Sequence, residues 1–228
     1  MSYSTFLLDL DHTLFDTEAS EVMAFEQTML AAGIDQPGLY LEAYQKINLE
    51  LWAAVERGEM RPQLVATLRF ERLVMKFDLD VDPQKLADEF VIGLGAFGDL
   101  YGGAREVLQS LSGKASLAMV TNGLSEVQRS RIARLGLDEY FDAIAISAEV
   151  GASKPDAAMF DIVFESLGSA APESAIMVGD NLSADIAGGA NYGIATCWYN
   201  PQGRSTNGAH RIDHEIEDLQ QLVSLLAV

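Results

Sequence analysis

The chain has 228 residues, of which 49% are hydrophobic and 21% charged, and its formal net charge at pH 7 is −19. This length fits one large globular domain or two small ones, and no apolar run is long enough for a membrane helix. The acidic surface disfavours nucleic-acid polymers and anionic membranes as partners. Because the N-terminus lacks a basic signal-peptide region and Cys197 is the single cysteine, we expect a cytoplasmic protein without an internal disulfide.

The first predicted element is a short buried strand, Phe6-Leu7-Leu8, which is followed at once by two acidic residues, Asp9 and Asp11. Both carboxylates are therefore placed at the carboxyl end of the strand, where open α/β sheets bind their ligands. Two carboxylates so close together repel each other unless a cation holds them or one keeps a proton. We therefore predict Mg²⁺ chemistry at this edge of the sheet, with Asp9 as a nucleophile.

Residues 17–100 contain no strand pattern after this first element. Helical patterns cover residues 17–32, 37–57, 62–77 and 83–97, and turn-forming residues separate them. The chain therefore starts a sheet, leaves it for a long helical segment and then returns to it. We predict that residues 17–100 form an all-helical cap domain and that residues 1–16 and 101–228 form the catalytic core.

Beyond residue 103, short apolar runs alternate with helical stretches. The predicted strands cover residues 116–120, 143–146, 175–178 and 194–198, and the predicted helices cover residues 124–135, 156–167 and a short stretch that ends near residue 190. Such alternation is typical of a parallel sheet with right-handed crossovers, and nearly all-apolar strands indicate burial on both faces. The expected fold class is α/β, with a Rossmann-like parallel-sheet core and the inserted helical cap.

Four polar motifs follow predicted strands along the chain. They are Asp9-x-Asp11-x-Thr13, Thr121-Asn122-Gly123, Lys154-Pro155, and Gly179-Asp180 with Asp185 five positions after Asp180. Because the carboxyl ends of parallel strands meet at one edge of a sheet, we expect all four motifs to converge there. Each motif alone is a weak signal, but their order and their strand context indicate one active site.

Together these motifs resemble those of the haloacid dehalogenase superfamily, chiefly its Mg²⁺-dependent phosphatases. The resemblance extends over essentially the whole chain, because a helical cap inserted after the first motif is also a feature of that superfamily. It implies that Asp9 attacks phosphorus and forms an aspartyl-phosphate. It also implies that Asp11 protonates the leaving alkoxide and then activates water for the second step.

The same resemblance implies a phosphate-binding site. Thr121 would donate its hydroxyl to a phosphoryl oxygen, and the backbone amides of Asn122 and Gly123 would face the same way at the start of a helix. Lys154 would bind the phosphoryl group and stabilise both its charge and that of the nucleophile.

A metal site is implied as well. The carboxylates of Asp9 and Asp180 and the backbone carbonyl of Asp11 would bind Mg²⁺, although oxygen-rich sites also accept Mn²⁺ or Co²⁺. Thr13 would form a hydrogen bond within its loop. Asp185 would orient the active-site lysine or a metal-bound water.

The acidic residue at position 11 limits which reactions of the superfamily the chain could catalyse. Dehalogenases and phosphonate-cleaving members lack an acid at this position, whereas phosphoester leaving groups need one. Sugar-phosphate mutases keep it, so a sugar-phosphate phosphatase or phosphomutase is the alternative among enzymes. A phosphate-binding or regulatory module without turnover is the alternative outside enzymology.

The chain further resembles the bacterial pyrimidine 5′-nucleotidases that act on non-canonical nucleotides. The segments that carry this closer resemblance are residues 44–52, 69–71, 146–151 and 195–200. The resemblance implies hydrolysis of a small phosphorylated substrate, a pyrimidine nucleoside 5′-monophosphate. The sequence itself leaves a monomer and a homodimer open. In the cap, Asn48, Trp52 and Arg69 are the candidate substrate contacts. Trp52 would either stack on a base or belong to the cap core. Arg69 would either bind a carbonyl group of the base or a phosphate, or lie on a solvated helix face.

Overall fold

The computed structural model of the protein describes residues 2–57, 59–168, 170–206 and 208–227. The chain divides into two compact units. The core domain is formed by the segment that ends at Thr17 and the segment that begins at Asp99, and the helical domain spans Glu18–Gly98. The helical domain is thus inserted in the chain between the first and second strands of the core.

Among the described residues, the core domain contains one six-stranded parallel sheet. Its strands are β1 (Thr5–Leu8), β2 (Ser116–Thr121), β3 (Ala143–Ile146), β4 (Ala175–Gly179), β5 (Ala195–Tyr199) and β6 (His214–Ile216), in the spatial order β3-β2-β1-β4-β5-β6. This is the strand order of a Rossmann-like sheet, and it confirms the predicted fold class. The order reverses between β1 and β4, and sheets of this kind bind ligands at that point.

The helices that the sequence predicts lie close to their predicted bounds, whereas two short core helices, Ala104–Leu111 and Ser147–Val150, are not predicted. The helical domain is built from α1 (Thr17–Ala31), α2 (Gly38–Glu56), α3 (Val65–Phe77) and α4 (Pro83–Ala96). The core contains α5 (Ala104–Leu111), α6 (Ser125–Leu135), α7 (Ser147–Val150), α8 (Ala157–Leu167) and α9 (Ala187–Tyr192). Across the described part of the chain, none of the helices is both long enough and apolar enough to cross a membrane.

Apolar clusters cover both faces of the sheet. Successive residues of a strand point to opposite faces, so Leu7 packs into one cluster and Leu8 into the other. The cluster around Leu8 includes residues of α5 and α6, and the cluster around Leu7 includes residues of α8. Burial on both faces explains why the central strands are almost wholly apolar.

Two further details of the core differ from the sequence-based expectation. The edge strand β6 pairs with β5 but is not predicted, because its three residues include a single apolar side chain, Ile216. The predicted short helix that ends near residue 190 is instead a π-helical turn, Leu182–Ile186, followed by α9.

The helical domain is held together by aromatic residues, one from each of its four helices. They are Phe25 of α1, Tyr44 of α2, Phe70 of α3 and Phe90 of α4, and all are fully buried. Neighbouring ring centroids in this group lie 4.5 to 5.8 Å apart. This spacing is that of favourable aromatic pairs.

We predict that Gly93→Ala destabilises the helical domain. Helices α1 and α4 approach so closely that a Cβ at Gly93 would lie 2.9 Å from the Cβ of Ala24. Overpacking of this kind costs about 1–3 kcal/mol, which exceeds the gain of up to about 1 kcal/mol from placing alanine in a helix. Urea denaturation followed by circular dichroism measures the change.

Gly38→Ala is the matched control, because nothing lies within 4 Å of the added methyl group at that position of α2. We expect its free energy of unfolding to stay within about 0.5 kcal/mol of the parent value. A Gly93→Ala variant as stable as this control would contradict the close helix packing.

Candidate active site

Asp9 lies directly after β1, at the point where the strand order reverses. Its backbone N–H donates to the carbonyl of Val178 in β4 at 3.0 Å, which extends the pairing of the two strands by one residue. The residue is only 6% exposed. The sheet therefore fixes the backbone of Asp9 and presents its carboxylate at the carboxyl edge.

Lys154 is buried between two carboxylates. Its Nζ lies 2.5 Å from Oδ1 of Asp9 and 2.7 Å from Oδ1 of Asp185. Burial by itself would lower the pKa of Lys154, but the charges of Asp185 and Asp9 raise it above its ordinary value. The lysine is thus held as a cation against the predicted nucleophile.

The side chain of Asn122 holds the backbone of Lys154 in place. Its Nδ2 donates to the carbonyl of Lys154 at 3.0 Å, and its Oδ1 accepts from the N–H of Lys154 at 2.9 Å. The prediction for Asn122 concerns its backbone amide as a phosphate donor. The structure adds a second role, in which the side-chain amide positions the lysine loop.

Three carboxylates meet at this edge of the sheet. Asp9, Asp180 and Asp185 each offer an oxygen, and these oxygens lie within 4.8 Å of one another. Burial, followed by the nearby charge of Asp185, raises the pKa of Asp180. Burial also raises the pKa of Asp9 well above its usual range, although Lys154 acts in the opposite direction. Such crowding favours a bound cation.

Gly179, the last residue of β4, makes room for this cluster. A Cβ at this position would collide with the carboxylate of Asp185, which is fully buried. Asp185 also accepts a hydrogen bond from the N–H of Asn181 at 3.0 Å. The glycine of the Gly179-Asp180 motif is therefore required by the approach of Asp185.

Thr13 connects the first motif to the fourth. Its hydroxyl donates to Oδ2 of Asp9 at 3.4 Å and accepts from the backbone N–H of Asp180 at 3.1 Å. The side chain is fully buried. The predicted hydrogen bond of Thr13 within its loop thus forms, and a second bond ties that loop to the end of β4.

Asp11 is held by three donors of the core domain. Its Oδ1 accepts from the hydroxyl of Thr17 and from the guanidinium of Arg131, and its Oδ2 accepts from Nε2 of Gln128, each at 2.6 Å. Burial raises the pKa of Asp11, but the charge of Arg131 and the hydrogen bonds of Thr17 and Gln128 outweigh it and lower the pKa overall. Asp11 is thus bound as a carboxylate.

Thr121 lies at the end of β2 and is fully buried. Its hydroxyl oxygen accepts a hydrogen bond from Nε2 of Gln128 at 2.9 Å. One prediction for this loop is wrong: the backbone N–H of Gly123 was expected to face the phosphate, but it donates to the hydroxyl of Ser147 at 3.0 Å. The start of α7 supplies this partner, which sequence spacing does not reveal.

The backbone carbonyl of Asp180 accepts hydrogen bonds from two side chains that come later in the sequence. Trp198 donates to it through Nε1 at 3.0 Å, and Arg204 through its guanidinium at 2.8 Å. The same guanidinium lies 3.5 Å from Oδ2 of Asp180 and packs over the ring of Trp198. These contacts fix the backbone of Asp180.

The three candidate substrate contacts of the cap lie within the helical domain. Asn48 is 8% exposed and donates to Glu21 at 3.1 Å, while its Oδ1 has no hydrogen-bond partner among the described residues. Trp52, one helical turn further along α2, is 40% exposed. Arg69 is buried and donates to the carbonyl of Val65 and to the hydroxyl of Tyr44, both at 3.1 Å.

The structure thus brings the four core motifs together and adds residues that the sequence analysis missed. The missed residues are Thr17, Gln128, Arg131, Ser147, Trp198 and Arg204. For Gln128 and Arg131 a signal was available. Their helix follows the Thr-Asn-Gly motif, and a spacing of three residues places both on one helix face beside the buried residues Val127 and Ile132.

The Rossmann-like sheet, the carboxylate–lysine site at its carboxyl edge and the inserted helical domain define an α/β protein whose candidate active site lies at the strand ends. Residues 3–193 match the family model of the haloacid dehalogenase-like hydrolases. The chain belongs to this family, which confirms the resemblance inferred from the motifs.

Curated relatives match the chain over nearly its full length. It is 34% identical over 227 residues to the pyrimidine 5′-nucleotidase PynA of Streptococcus pneumoniae, covering 99% of this chain and 96% of the relative. It is 32% identical over 225 residues to the pyrimidine 5′-nucleotidase YjjG of Escherichia coli, covering 96% and 98%. The crystal structure of YfnB from Bacillus subtilis, bound to magnesium, superposes with a TM-score of 0.93 at 31% identity over 100% of both chains.

We predict that Lys154→Met destabilises the core domain in buffer without divalent cations. The substitution leaves Asp9 and Asp185 buried without the cation between them, and breaking a buried ion pair in this way costs about 3–5 kcal/mol. Because burial raises the pKa of Asp9, the folded variant takes up protons as the pH falls. The loss is therefore largest at neutral pH and shrinks in acid.

Urea denaturation at several pH values measures the effect, with Lys114→Met as the control because Lys114 is exposed. Adding Asp185→Asn to Lys154→Met is expected to recover part of the lost stability, since it removes one uncompensated charge. Equal unfolding free energies for the Lys154 and Lys114 variants would contradict the buried ion pair.

Proposed function

We propose that the protein is a Mg²⁺-dependent phosphomonoester hydrolase that works through an aspartyl-phosphate on Asp9, with pyrimidine nucleoside 5′-monophosphates as its substrates. The observation that carries the proposal is the contact of Asp9 with Lys154, at the edge of the sheet where Asp180 and Thr121 also lie. A carboxylate beside a fixed cation is suited to attack an anionic phosphate.

The donor set of the site suits Mg²⁺. This ion prefers oxygen ligands and binds one or two carboxylates together with phosphate and water. Asp9 and Asp180 are the proposed carboxylate ligands, and the backbone carbonyl of Asp11 is the proposed third ligand. Lys154 supplies one positive charge for the two buried carboxylates at its Nζ, so a divalent cation would offset the remaining negative charge. When bound, the ion would stabilise charge on the transferring phosphoryl group.

In the first step, an oxygen of Asp9 forms a bond to phosphorus while the ester P–O bond breaks. The electron pair of that bond stays on the leaving oxygen, which takes a proton from the protonated form of Asp11, the form that the second step regenerates. Thr121 donates its hydroxyl to a phosphoryl oxygen, and Lys154 stabilises the charge on the phosphoryl group. In the second step, Asp11 accepts a proton from water, which attacks phosphorus and releases Asp9 and phosphate.

The substrate class is supported by the relatives, two of which are pyrimidine 5′-nucleotidases at 34% and 32% identity. Asn48, Trp52 and Arg69 remain the proposed substrate contacts. The Oδ1 of Asn48 lacks a donor within the described residues, and the ring N–H of uracil or thymine is a donor of the right kind. The net charge of −19 disfavours a nucleic-acid polymer and leaves a free nucleotide as the proposed substrate. The proposed place of action is the cytoplasm.

We expect dUMP, dTMP and UMP to be hydrolysed with higher kcat/KM than hexose phosphates and glycolytic phosphate esters. Release of inorganic phosphate from a panel of phosphomonoesters, with Mg²⁺ present, measures this preference. A tenfold or greater preference for a sugar phosphate would overturn the nucleotide assignment and favour the sugar-phosphate alternative. Lack of turnover of the whole panel and of p-nitrophenyl phosphate would favour a binding module.

We expect Asp9→Asn to abolish turnover, because the amide cannot form the acyl phosphate. The parent enzyme, quenched in acid during turnover of a ³²P-labelled nucleotide, should carry label that hydroxylamine releases, and the Asp9→Asn variant should carry none. Asp35→Asn, at an exposed acid of the helical domain, is the control and should keep both activity and label. Labelling of the Asp9→Asn variant would show that another residue is the nucleophile.

A further inference from the structure

Gln128 and Arg131 of α6 have no role in the mechanism derived so far, although both are buried in the active site. Gln128 is 1% exposed and Arg131 is 2% exposed. Both donate to the carboxylate of Asp11 at 2.6 Å, one to each oxygen. The buried face of one helix thus contributes two donors to a single carboxylate.

Gln128 also reaches the phosphate site. The Nε2 that donates to Asp11 also donates to the hydroxyl oxygen of Thr121 at 2.9 Å. Because this bond occupies a lone pair of the hydroxyl oxygen, the hydroxyl proton of Thr121 is free to point towards a phosphoryl oxygen. One amide nitrogen therefore fixes the distance between the acid and the phosphate-binding hydroxyl.

The surrounding backbone is shaped to admit this glutamine. A Cβ at Gly123 would lie 2.8 Å from Nε2 of Gln128 and 3.1 Å from its Cγ. The glycine of the Thr121-Asn122-Gly123 motif thus leaves the space that the Gln128 amide occupies. This requirement is independent of the hydrogen bonds themselves.

Arg131 is held as firmly as Gln128. Its guanidinium carbon lies 4.3 Å from the ring centroid of Phe15, which is fully buried, and its Nη1 lies 3.3 Å from Oε1 of Gln128. Stacking on an aromatic face and a bond to the neighbouring amide restrict its rotamers. The ion pair with Asp11 therefore has one fixed geometry.

We propose that Gln128 and Arg131 are positioning residues that hold the carboxyl group of Asp11 at a fixed place beside Thr121, where it delivers its proton to the leaving oxygen. The proposal rests on the proposed function, because it assigns these residues to the acid step of that reaction. They act through Asp11 and Thr121, and their loss leaves Asp11 with the hydrogen bond of Thr17 but without the contacts that hold its carboxyl group beside Thr121.

The test separates acid catalysis from general damage by changing the leaving group. A nucleotide leaves as an alkoxide, which needs a proton, whereas p-nitrophenolate leaves without one. The ratio kcat/KM covers the steps up to transfer of the phosphoryl group to Asp9, so it reports this difference directly. Arg131→Met and Gln128→Met are assayed with dUMP and with p-nitrophenyl phosphate.

We expect both variants to lose about tenfold or more in kcat/KM for dUMP, since a general acid contributes about 10²–10⁴-fold, and less than about threefold for p-nitrophenyl phosphate. Arg131→Lys keeps the charge and should recover part of the loss for dUMP. Arg129→Met is the matched control on the same helix, because Arg129 pairs with Glu149 at the surface. It should leave both ratios unchanged.

Equal losses on the two substrates would overturn the positioning role, and so would a gain in kcat/KM for dUMP, which would show that the contacts hold Asp11 in an inactive place. Thermal unfolding of each variant checks its fold. If Arg131→Met fails to fold, the test uses Arg131→Lys and Gln128→Met instead. Their losses in kcat/KM for dUMP and for p-nitrophenyl phosphate are compared in the same way. A parent enzyme that hydrolyses neither substrate would overturn the proposed function and this inference together, whereas an active parent with equal losses overturns the inference alone.

Discussion

The ion pairs of Lys154 with Asp9 and Asp185 are the constraint on which the rest of the site depends. Removing an ammonium group and two carboxylates from water is costly, and the arrangement is stable only if the charges are held close together. Several neighbouring residues hold the three charged groups close together. Asn122 fixes the backbone of Lys154 by two hydrogen bonds, and Gly179 lacks the Cβ that would displace Asp185. The polar motifs at the strand ends are therefore parts of one charge-balancing unit.

The strand ends explain why much of the site could be predicted from the sequence. A parallel sheet brings the carboxyl ends of its strands to one edge, so Asp9, Thr121 and Asp180 had to converge once the strands were recognised. Gln128 could not be found in the same way, because its burial depends on the missing Cβ of Gly123 across a tertiary contact. The amide of Gly123 was wrongly assigned for a similar reason, since its partner, Ser147, comes from a different segment. Local patterns identify elements, whereas such contacts depend on how the elements pack.

Positive charge is scarce in this chain, but three basic side chains lie at the site. Of its 15 basic residues, Lys154, Arg131 and Arg204 each lie within 4 Å of a carboxylate at the carboxyl edge of the sheet. The acidic surface as a whole repels anions. At physiological salt this repulsion is largely screened at distances beyond about 10 Å. Close contacts within the buried site are screened much less. The local cations can therefore attract a phosphate in spite of the net charge of −19.

Two carboxylates that are two residues apart in the sequence acquire opposite properties in the fold. Burial raises the pKa of Asp9 although Lys154 opposes it, whereas Arg131, Thr17 and Gln128 outweigh burial and lower the pKa of Asp11. Pairs of titratable groups with different environments are how one site assigns different roles to chemically identical side chains. Asp9 becomes a nucleophile only while it is ionised, so a second positive charge beside Lys154 would favour its reactive form. Asp11 must gain a proton and lose it again in each cycle. The contacts of Arg131, Thr17 and Gln128 stabilise its ionised form, which accepts a proton from water in the second step. Their effect on the first step is to hold the carboxyl group in place rather than to favour its protonation.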